Sequence, residues 1–249
     1  MLKNRVGEVF ITNQGFSVKI VEYFSSLNCT IMFDDGNILK NIQYDNIKNG
    51  AVYNPFNRVV CNIGFLGVGK YKAYNKKTKK SYKSYRVWVN ILKRCYSEKL
   101  RYKFPTYKDV EIFENWACFQ NFAQWFEENY IEGFVLDKDI LIKGSKVYSP
   151  ETCCFVPQEM NKLFTKSNAK RGNLPIGVNY SKSRLKYVSQ LNKNNKRTHL
   201  GYFDTPEEAF QAYKTAKESY IKEVADKWKD LIDPRVYEAL YNYQVEITD

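Results

Sequence analysis

Polar and apolar residues alternate with a short period over the first sixty positions, which is typical of β-strands. Three runs, 7–11, 17–23 and 29–33, are rich in β-branched and aromatic residues, and Gly or Asn lies between them. Both residues tolerate the positive φ angles of hairpin turns. The pattern predicts a meander of about five short strands, closed into a small SH3- or Tudor-like β-barrel over residues 1–63. We expect a scaffold or docking role for this barrel, and contact with DNA backbone or peptides is the alternative.

The spacing of apolar residues becomes helical after this region. Apolar side chains recur on one helical face over residues 87–95, and aromatic residues do so over 115–129. We expect most of these aromatic side chains in the core. A strand over 134–141, a turn at 143–146 and an extended segment are predicted next, followed by a helix that contains Asn161.

The C-terminal half of the chain predicts a linker, a small sheet and a long helix. Residues 165–175 are polar and basic and favour a linker. Three short strands are predicted after it, at 176–180, 186–192 and 197–202. Thr205 then suits the N-cap of a helix, because Pro206 fits the first helical position and Glu208 completes a capping box. The tail, 225–249, has mainly helical spacing, and we expect it to pack on this helix or on another domain.

Together these elements predict a multi-domain α+β protein. In chain order it comprises the SH3-like β-barrel, a central α+β module with a basic flank, a three-stranded sheet with one helix, and a helical tail. The predicted limits are 1–63, 64–165, 172–224 and 225–249.

Composition excludes several classes of protein. The chain has 249 residues, of which 44% are hydrophobic and 16% aromatic, enough to build cores. No apolar run approaches the roughly 18–20 residues that span a bilayer, and we expect no signal peptide. Six cysteines without a C-x-x-C pair and a single histidine argue against a zinc finger. We therefore expect reduced thiols and a cytoplasmic location.

Positive charge is concentrated in two blocks of the chain. The net charge is +12, and residues 66–108 carry 14 basic side chains and one acidic side chain. Residues 162–203 carry 10 basic side chains and no acidic one, whereas 109–161 and 204–249 are acidic. Basic blocks attract a polyanion because neutralised phosphates release their condensed counterions. We expect nucleic acid as the partner and no membrane, since no basic amphipathic helix stands out.

A glycine-rich stretch, 64–69, precedes the first group of lysines. It does not match the phosphate-binding pattern G-x-x-x-x-G-K-[ST], because Tyr71 follows Lys70. The sequence instead predicts a hairpin with an exposed basic loop. Lysine on a flexible turn meets phosphates as a point charge and does not read sequence. The loop lysines expected to do so are Lys76, Lys77, Lys79 and Lys80.

The segment 200–213 has the pattern L-G-x-F-x-T-x-E-E-A-x-x-A-Y, and Gly177 and Val178 open the predicted strands before it. These residues resemble the AP2 DNA-binding domain, and the resemblance covers about 175–222. In that family the sheet lies in the major groove of DNA and the helix packs behind it. Asn192 stands where the family usually has arginine, so no base preference is carried over.

The resemblance implies that one face of the sheet contacts DNA. Arg reads guanine, Asn or Gln reads adenine, and Lys mostly holds phosphate. Val188 and Leu191 are expected in the core. The candidates for the DNA side are Asn179, Ser181, Lys182, Arg184, Lys186, Gln190, Asn192, Arg197 and His199.

A second motif lies in the predicted central module. Residues 136–140, with the sequence LDKDI, and the later Asn161 resemble the HNH (ββα-metal) nuclease core of bacteriophage endonucleases. In that core an acidic residue and the asparagine hold a divalent cation, and a histidine deprotonates water. Asp137 or Asp139 would supply the carboxylate here.

The histidines of that core are replaced in this chain. Lys138 and Ile140 stand in their positions, and the only histidine, His199, lies in the AP2-like sheet. Without a base whose pKa is near 7, the usual hydrolysis has no obvious source of hydroxide, and Lys138 could substitute only if strongly desolvated. We expect an inactive DNA-binding module without a cofactor. In the alternative, an endonuclease with altered chemistry, Mg²⁺ would bind to Asp137, Asp139 and Asn161.

The two resemblances together indicate a bacteriophage-type protein that acts in the cytoplasm of the bacterial host. Its expected partner is double-stranded DNA. A further alternative is a phage inhibitor of a host defence nuclease, in which the basic surfaces would occupy a nucleic-acid channel of that host protein.

Overall fold

A computed structural model describes residues 4–164, 173–194 and 196–247. The chain divides into two compact units: unit 1 consists of Met1–Lys108 and Ile112–Gln124, and unit 2 consists of Asp109–Glu111 and Trp125–Asp249. Both helices and several small sheets are present, so the α+β class is confirmed. The limits predicted at residues 63 and 224 fall inside these units, and the four predicted domains stay a prediction.

Unit 1 begins with an antiparallel four-stranded sheet in the order β1-β2-β3-β4. Its elements are β1 Val9–Ile11, β2 Ser17–Ser25, β3 Asn28–Phe33, β4 Ile38–Ile42 and the short helix α1 Tyr44–Lys48. Alternating residues of β2 and β3 form the core, among them Val18, Ile20, Ile31 and Phe33. The three predicted strand runs are confirmed, but the sheet has four strands where about five were predicted, and the predicted barrel closure is wrong, since β1 and β4 do not pair in the described residues. After β4 the chain forms α1, and its Ile47 joins the core.

The rest of unit 1 is helical. Its elements are α2 Lys83–Tyr96, α3 Glu98–Lys103, 3₁₀ turns at Pro105–Tyr107 and Glu114–Ala117, and the start of α4 Phe119–Asn129. The helix predicted over 87–95 is confirmed. The one predicted over 115–129 begins as a 3₁₀ turn, and the Trp116 carbonyl accepts a 2.6 Å hydrogen bond from the Trp88 indole. Both tryptophans are buried, as predicted.

Unit 2 contains short strands before its main sheet. They are β5 Glu111–Ile112, of which only Glu111 belongs to unit 2, then β6 Val135–Asp137, β7 Val147–Tyr148 and β8 Cys154–Val156, followed by α5 Gln158–Asn161 and a 3₁₀ turn at Lys162–Phe164. Strands β6 and β8 pair antiparallel. The strand predicted over 134–141 ends at Asp137, because Oδ1 of Asp137 accepts hydrogen bonds from the backbone N–H groups of Asp139 and Ile140 and turns the chain.

The C-terminal part of unit 2 is a three-stranded antiparallel sheet followed by a long helix. Its elements are β9 Val178–Ser181, β10 Lys186–Lys193, β11 Lys196–Phe203, α6 Pro206–Trp228 and α7 Pro234–Tyr241. The capping box predicted at Thr205 is confirmed. The tail packs on α6, as predicted: the Tyr237 hydroxyl donates to Asp226 at 2.8 Å, and the Val245 N–H donates to Glu218 at 2.8 Å.

Three further sequence predictions concern the whole chain. All six cysteines are free thiols. Within the described ranges, no helix combines the length and the apolar character needed to cross a membrane. Most of the predicted linker, residues 165–172, lies outside the described residues.

Candidate nucleic-acid interface

The sheet β9–β11 has one face against α6 and one face away from it. Alternation along β10 places Ser189, Leu191 and Lys193 on the same face. Ser189 and Leu191 are buried, and Lys193 forms an ion pair with Glu223 of α6. This face is therefore the helix side. We call the opposite face of the sheet the outer face.

The strand register brings most of the predicted DNA-contacting residues together on the outer face. Lys186 lies opposite Ser181, and Asn179 lies opposite Val188. Across the other edge of β10, Gln190 pairs with His199 and Asn192 with Arg197. The outer face thus carries seven of the nine candidates: Asn179, Ser181, Lys186, Gln190, Asn192, Arg197 and His199. The other two, Lys182 and Arg184, lie exposed in the β9–β10 turn.

Both residues predicted for the core of this sheet are buried. Val188 is 6% exposed and Leu191 is 4% exposed. Because they are three positions apart on β10, they lie on opposite faces. Leu191 packs on the helix side, whereas Val188 lies in the middle of the outer face, opposite Asn179 and Tyr202.

Sequence reasoning missed Tyr202 as a residue of the outer face. Its ring lies 4.5 Å from the guanidinium carbon of Arg184 and 4.6 Å from the ring centre of His199. A strict period of two would separate Tyr202 from His199, but β11 contains an irregularity opposite Ser189 and Gln190 that returns them to one face. Gly201, with φ at 147°, marks this irregularity and is the signal that could have revealed it.

The charge of the outer face is positive. The sequence has no Asp or Glu between 162 and 203. The first acidic residue after this segment is Asp204, whose carboxylate forms an ion pair with the Lys186 ammonium at 3.0 Å. Basic, amide and aromatic groups on one exposed sheet surface are the chemistry that base edges and phosphates require.

The β9–β10 turn contains a strained leucine. Leu185 adopts φ at 54°, in the left-handed region. That region costs a residue with a Cβ roughly 1–2 kcal/mol. Glycine avoids this cost, and asparagine tolerates the region. The Leu185 side chain is 75% exposed, so its packing within the described chain does not offset the strain.

The four loop lysines of unit 1 lie on an exposed hairpin, as predicted. The Asn75 N–H donates to the Lys80 carbonyl at 2.9 Å, and Tyr74 forms an antiparallel β-bridge with Ser81. The Asn75 side chain accepts hydrogen bonds from the backbone of Lys77 and Thr78 and shapes the turn. The turn is therefore made by backbone groups and by Asn75. The exposed lysines, Lys76, Lys77, Lys79 and Lys80, are left to project into solvent.

The glycine-rich stretch at the base of this hairpin has a packing role. A Cβ at Gly69 would overlap the Gln120 side chain, and one at Gly64 would overlap Trp88. Gln120 holds the hairpin base through three hydrogen bonds, which it makes with the Leu66 carbonyl and with both backbone groups of Tyr71. The glycines thus let the chain approach α2 and α4 closely.

The HNH-like residues of unit 2 form one hydrogen-bonded cluster. Oδ2 of Asp137 accepts a 2.8 Å hydrogen bond from the Asn161 amide. The buried Lys138 ammonium donates to Asp139 at 2.7 Å and to the Ser145 carbonyl at 2.6 Å. The four predicted residues are therefore brought together, and we call them the Asp137 cluster: Asp137, Lys138, Asp139 and Asn161.

Burial dominates the electrostatics around this cluster. It raises the pKa of Asp137, partly against the backbone hydrogen bonds that favour its carboxylate. Burial also raises the pKa of Cys153 to about 12 and raises the pKa of Cys154. Both thiols are consequently protonated at neutral pH and are poor nucleophiles or metal ligands.

The Asp137 cluster does not fit a divalent cation. Asp137 already accepts three hydrogen bonds. Asp139 pairs with an ammonium group, which would repel a cation at that position. Among the residues that the structure describes, no three His, Cys, Asp or Glu side chains are grouped as metal ligands.

Comparison with known proteins adds no relative. The chain matches no protein-family model, and neither a curated protein nor a solved structure shows significant similarity to it. Any assignment of function therefore depends on the chemistry of the outer face, the basic hairpin and the Asp137 cluster.

Proposed function

We propose that the protein binds double-stranded DNA and that the outer face of β9–β11 reads the bases. The observation that carries this proposal is the gathering of seven polar or basic candidates on one exposed sheet face while α6 covers the other. The AP2 resemblance implies the same division between sheet and helix. Arginine and amide side chains on a sheet suit base edges in the major groove.

The basic hairpin of unit 1 supplies backbone affinity in this proposal. Its four lysines are exposed, and the turn that presents them is held by backbone hydrogen bonds. Phosphate contacts of this kind add affinity that depends on salt and not on sequence. Binding of labelled random duplex DNA at several salt concentrations tests the proposal directly. Failure to bind any duplex at low salt would overturn it.

The first prediction concerns base reading. Arg184→Ala or Arg197→Ala should cost roughly 1–3 kcal/mol of binding free energy on a selected preferred site and less on random DNA. Arg197 lies on the outer face opposite Asn192, and Arg184 is held against Tyr202. Fluorescence anisotropy on both DNAs measures the difference.

Arg235→Ala serves as the control for this prediction, because Arg235 pairs with Asp233 at the start of α7, outside the sheet. It should leave the preference for the selected site intact. Equal losses on selected and random DNA in the Arg184 and Arg197 variants would assign both arginines to phosphate contact.

We further propose that the Asp137 cluster has a structural role and does not cleave DNA. This proposal is supported by the Lys138 ammonium, which stands in place of a histidine, and by the hydrogen bond that the Asn161 amide donates to Asp137. The cluster ties the end of β6 to α5. In this proposal the cluster stabilises the shape of the module and does not catalyse hydrolysis.

The second prediction tests this role. The purified protein should not nick supercoiled plasmid with Mg²⁺ or Mn²⁺ at neutral pH. The reason is the missing general base together with carboxylates already engaged in hydrogen bonds and an ion pair. Nicking that persists through purification and disappears in both Asp137→Ala and Asn161→Ala would establish the endonuclease alternative instead.

A further inference from the structure

A leucine is exposed between cations in the turn that joins β9 to β10. Leu185 is 75% exposed, the highest value for a large apolar side chain among the described residues of unit 2. Its neighbours Lys182 and Arg184 are exposed as well. An apolar side chain in this position is not stabilised by burial in the core, so it faces either water or a ligand.

The turn holds this leucine in a fixed place at one end of the outer face. The Arg184 N–H donates to the Ser181 carbonyl at 3.3 Å, and Ser181 pairs with Lys186. The Arg184 guanidinium lies over the Tyr202 ring at 4.5 Å. Because the turn is tied to the sheet on both sides, Leu185 is presented without a large ordering cost on binding.

The chemistry around Leu185 selects a ligand with two properties. Lys182 and Arg184 favour electronegative groups of a ligand, and the neighbouring leucine favours an apolar surface. Duplex DNA has both, because stacked bases lie between two rows of phosphates. Apolar wedges are known from proteins that bind the minor groove, where apolar side chains enter base steps, partly unstack them and bend the duplex.

We propose that Leu185 is an apolar wedge that inserts at a base step and bends the bound DNA, while Lys182 holds a neighbouring phosphate and Arg184 keeps its proposed contact with a base. The inference rests on the proposed function of the outer face. It also accounts for a leucine at a backbone angle that glycine adopts without strain. Bending is easiest at pyrimidine–purine steps, so the wedge adds a preference for TA or CA steps near the contacted bases.

The test compares Leu185→Asn and Leu185→Gly with the wild-type chain on duplexes of about 30 base pairs. Energy transfer between dyes at the duplex ends reports bending, and 2-aminopurine at successive positions reports unstacking. The matched control is Leu27→Asn, since Leu27 is a 69% exposed leucine in the β2–β3 turn of unit 1. Both Leu185 variants relieve the strained angle and should keep or raise the thermal midpoint of unfolding, which separates a lost wedge from a lost fold.

We expect wild type and Leu27→Asn to raise end-to-end energy transfer and the fluorescence of one 2-aminopurine position. Both Leu185 variants should lose most of the rise in energy transfer and in 2-aminopurine fluorescence. Their preference for a TA step over a stiff A-tract should fall by about ten-fold. Unchanged bending and unstacking in the Leu185 variants, with DNA still bound, would overturn the wedge alone. If the wild-type chain bound no duplex at all, the proposed function would fail together with it.

Discussion

Replacing Lys76, Lys77, Lys79 and Lys80 together by glutamine should weaken binding to selected and random duplex DNA alike, by roughly 100-fold at 0.15 M salt. The four ammonium groups are exposed on one short hairpin. Each lost phosphate contact should reduce the slope of log affinity against log salt by about 0.9. Because lysine meets phosphate as a point charge, the ratio of affinities for the two DNAs should not change. Anisotropy titrations at salt concentrations from about 0.05 to about 0.3 M, a range in which phosphate contacts dominate, measure the affinity for each DNA and its dependence on salt.

The control for this variant removes the same charge from other exposed positions. Its substitutions to glutamine are at Lys19, Lys40, Lys48 and Lys229. We expect only a small, nonspecific loss of affinity, because these lysines lie outside both basic blocks. A loss equal to that of the hairpin variant would mean that net charge alone drives binding. If the hairpin variant lost sequence preference while the Arg184 and Arg197 variants kept it, the assignment of base reading to the outer face would be wrong.

Local signals in the sequence were sufficient to predict the strands of the C-terminal sheet and the start of the helix after it. The strands follow a period of two, and the start of α6 is encoded within four residues by Thr205 and Glu208, whose side chain and backbone bond each other reciprocally. The face of each residue on β10 also follows from alternation. Prediction was reliable where the deciding interactions lie between residues close in the chain.

Long-range or irregular features were not predictable in the same way. The face of Tyr202 depends on an irregularity in β11 that shifts the alternation. The sheet of unit 1 stays open, and a helical turn after β4 brings Ile47 into its core. The end of β6 is set by one Asp137 side chain that bonds the backbone two and three residues on. In β11 and at the end of β6, a local feature overrides the periodic pattern.

The Asp137 cluster was assembled from the HNH resemblance and not from spacing. Asp137 and Asn161 are 24 residues apart, and their 2.8 Å contact follows from the pairing of β6 with β8 and the helix directly after β8. The sequence indicated which residues would meet. It did not indicate that Asp139 would be neutralised by Lys138, because that ion pair depends on the burial of the lysine.

Gly177→Ala should destabilise unit 2 by roughly 2–5 kcal/mol, the largest effect that we expect from a single methyl group. Gly177 immediately precedes β9 and has φ at 76°, a backbone angle that disfavours any Cβ. A Cβ there would also overlap the ring of Tyr213, which is 6% exposed on α6. Since α6 holds the sheet from behind, neither the ring nor the strand can move without disturbing this packing.

The matched control, Gly144→Ala, separates the two causes of that loss. Gly144 has φ at 74°, nearly the same angle, but an added Cβ would meet no atom of the described chain within 4 Å. It should therefore cost only the backbone strain, roughly 1–2 kcal/mol. Calorimetry of the full chain should show the unit 2 transition lowered by roughly 10 °C for Gly177→Ala and by a few degrees for Gly144→Ala. Equal shifts for the two variants would show that the close approach of β9 to Tyr213 does not govern the stability of the sheet, and the rigid presentation of the outer face would then need another support.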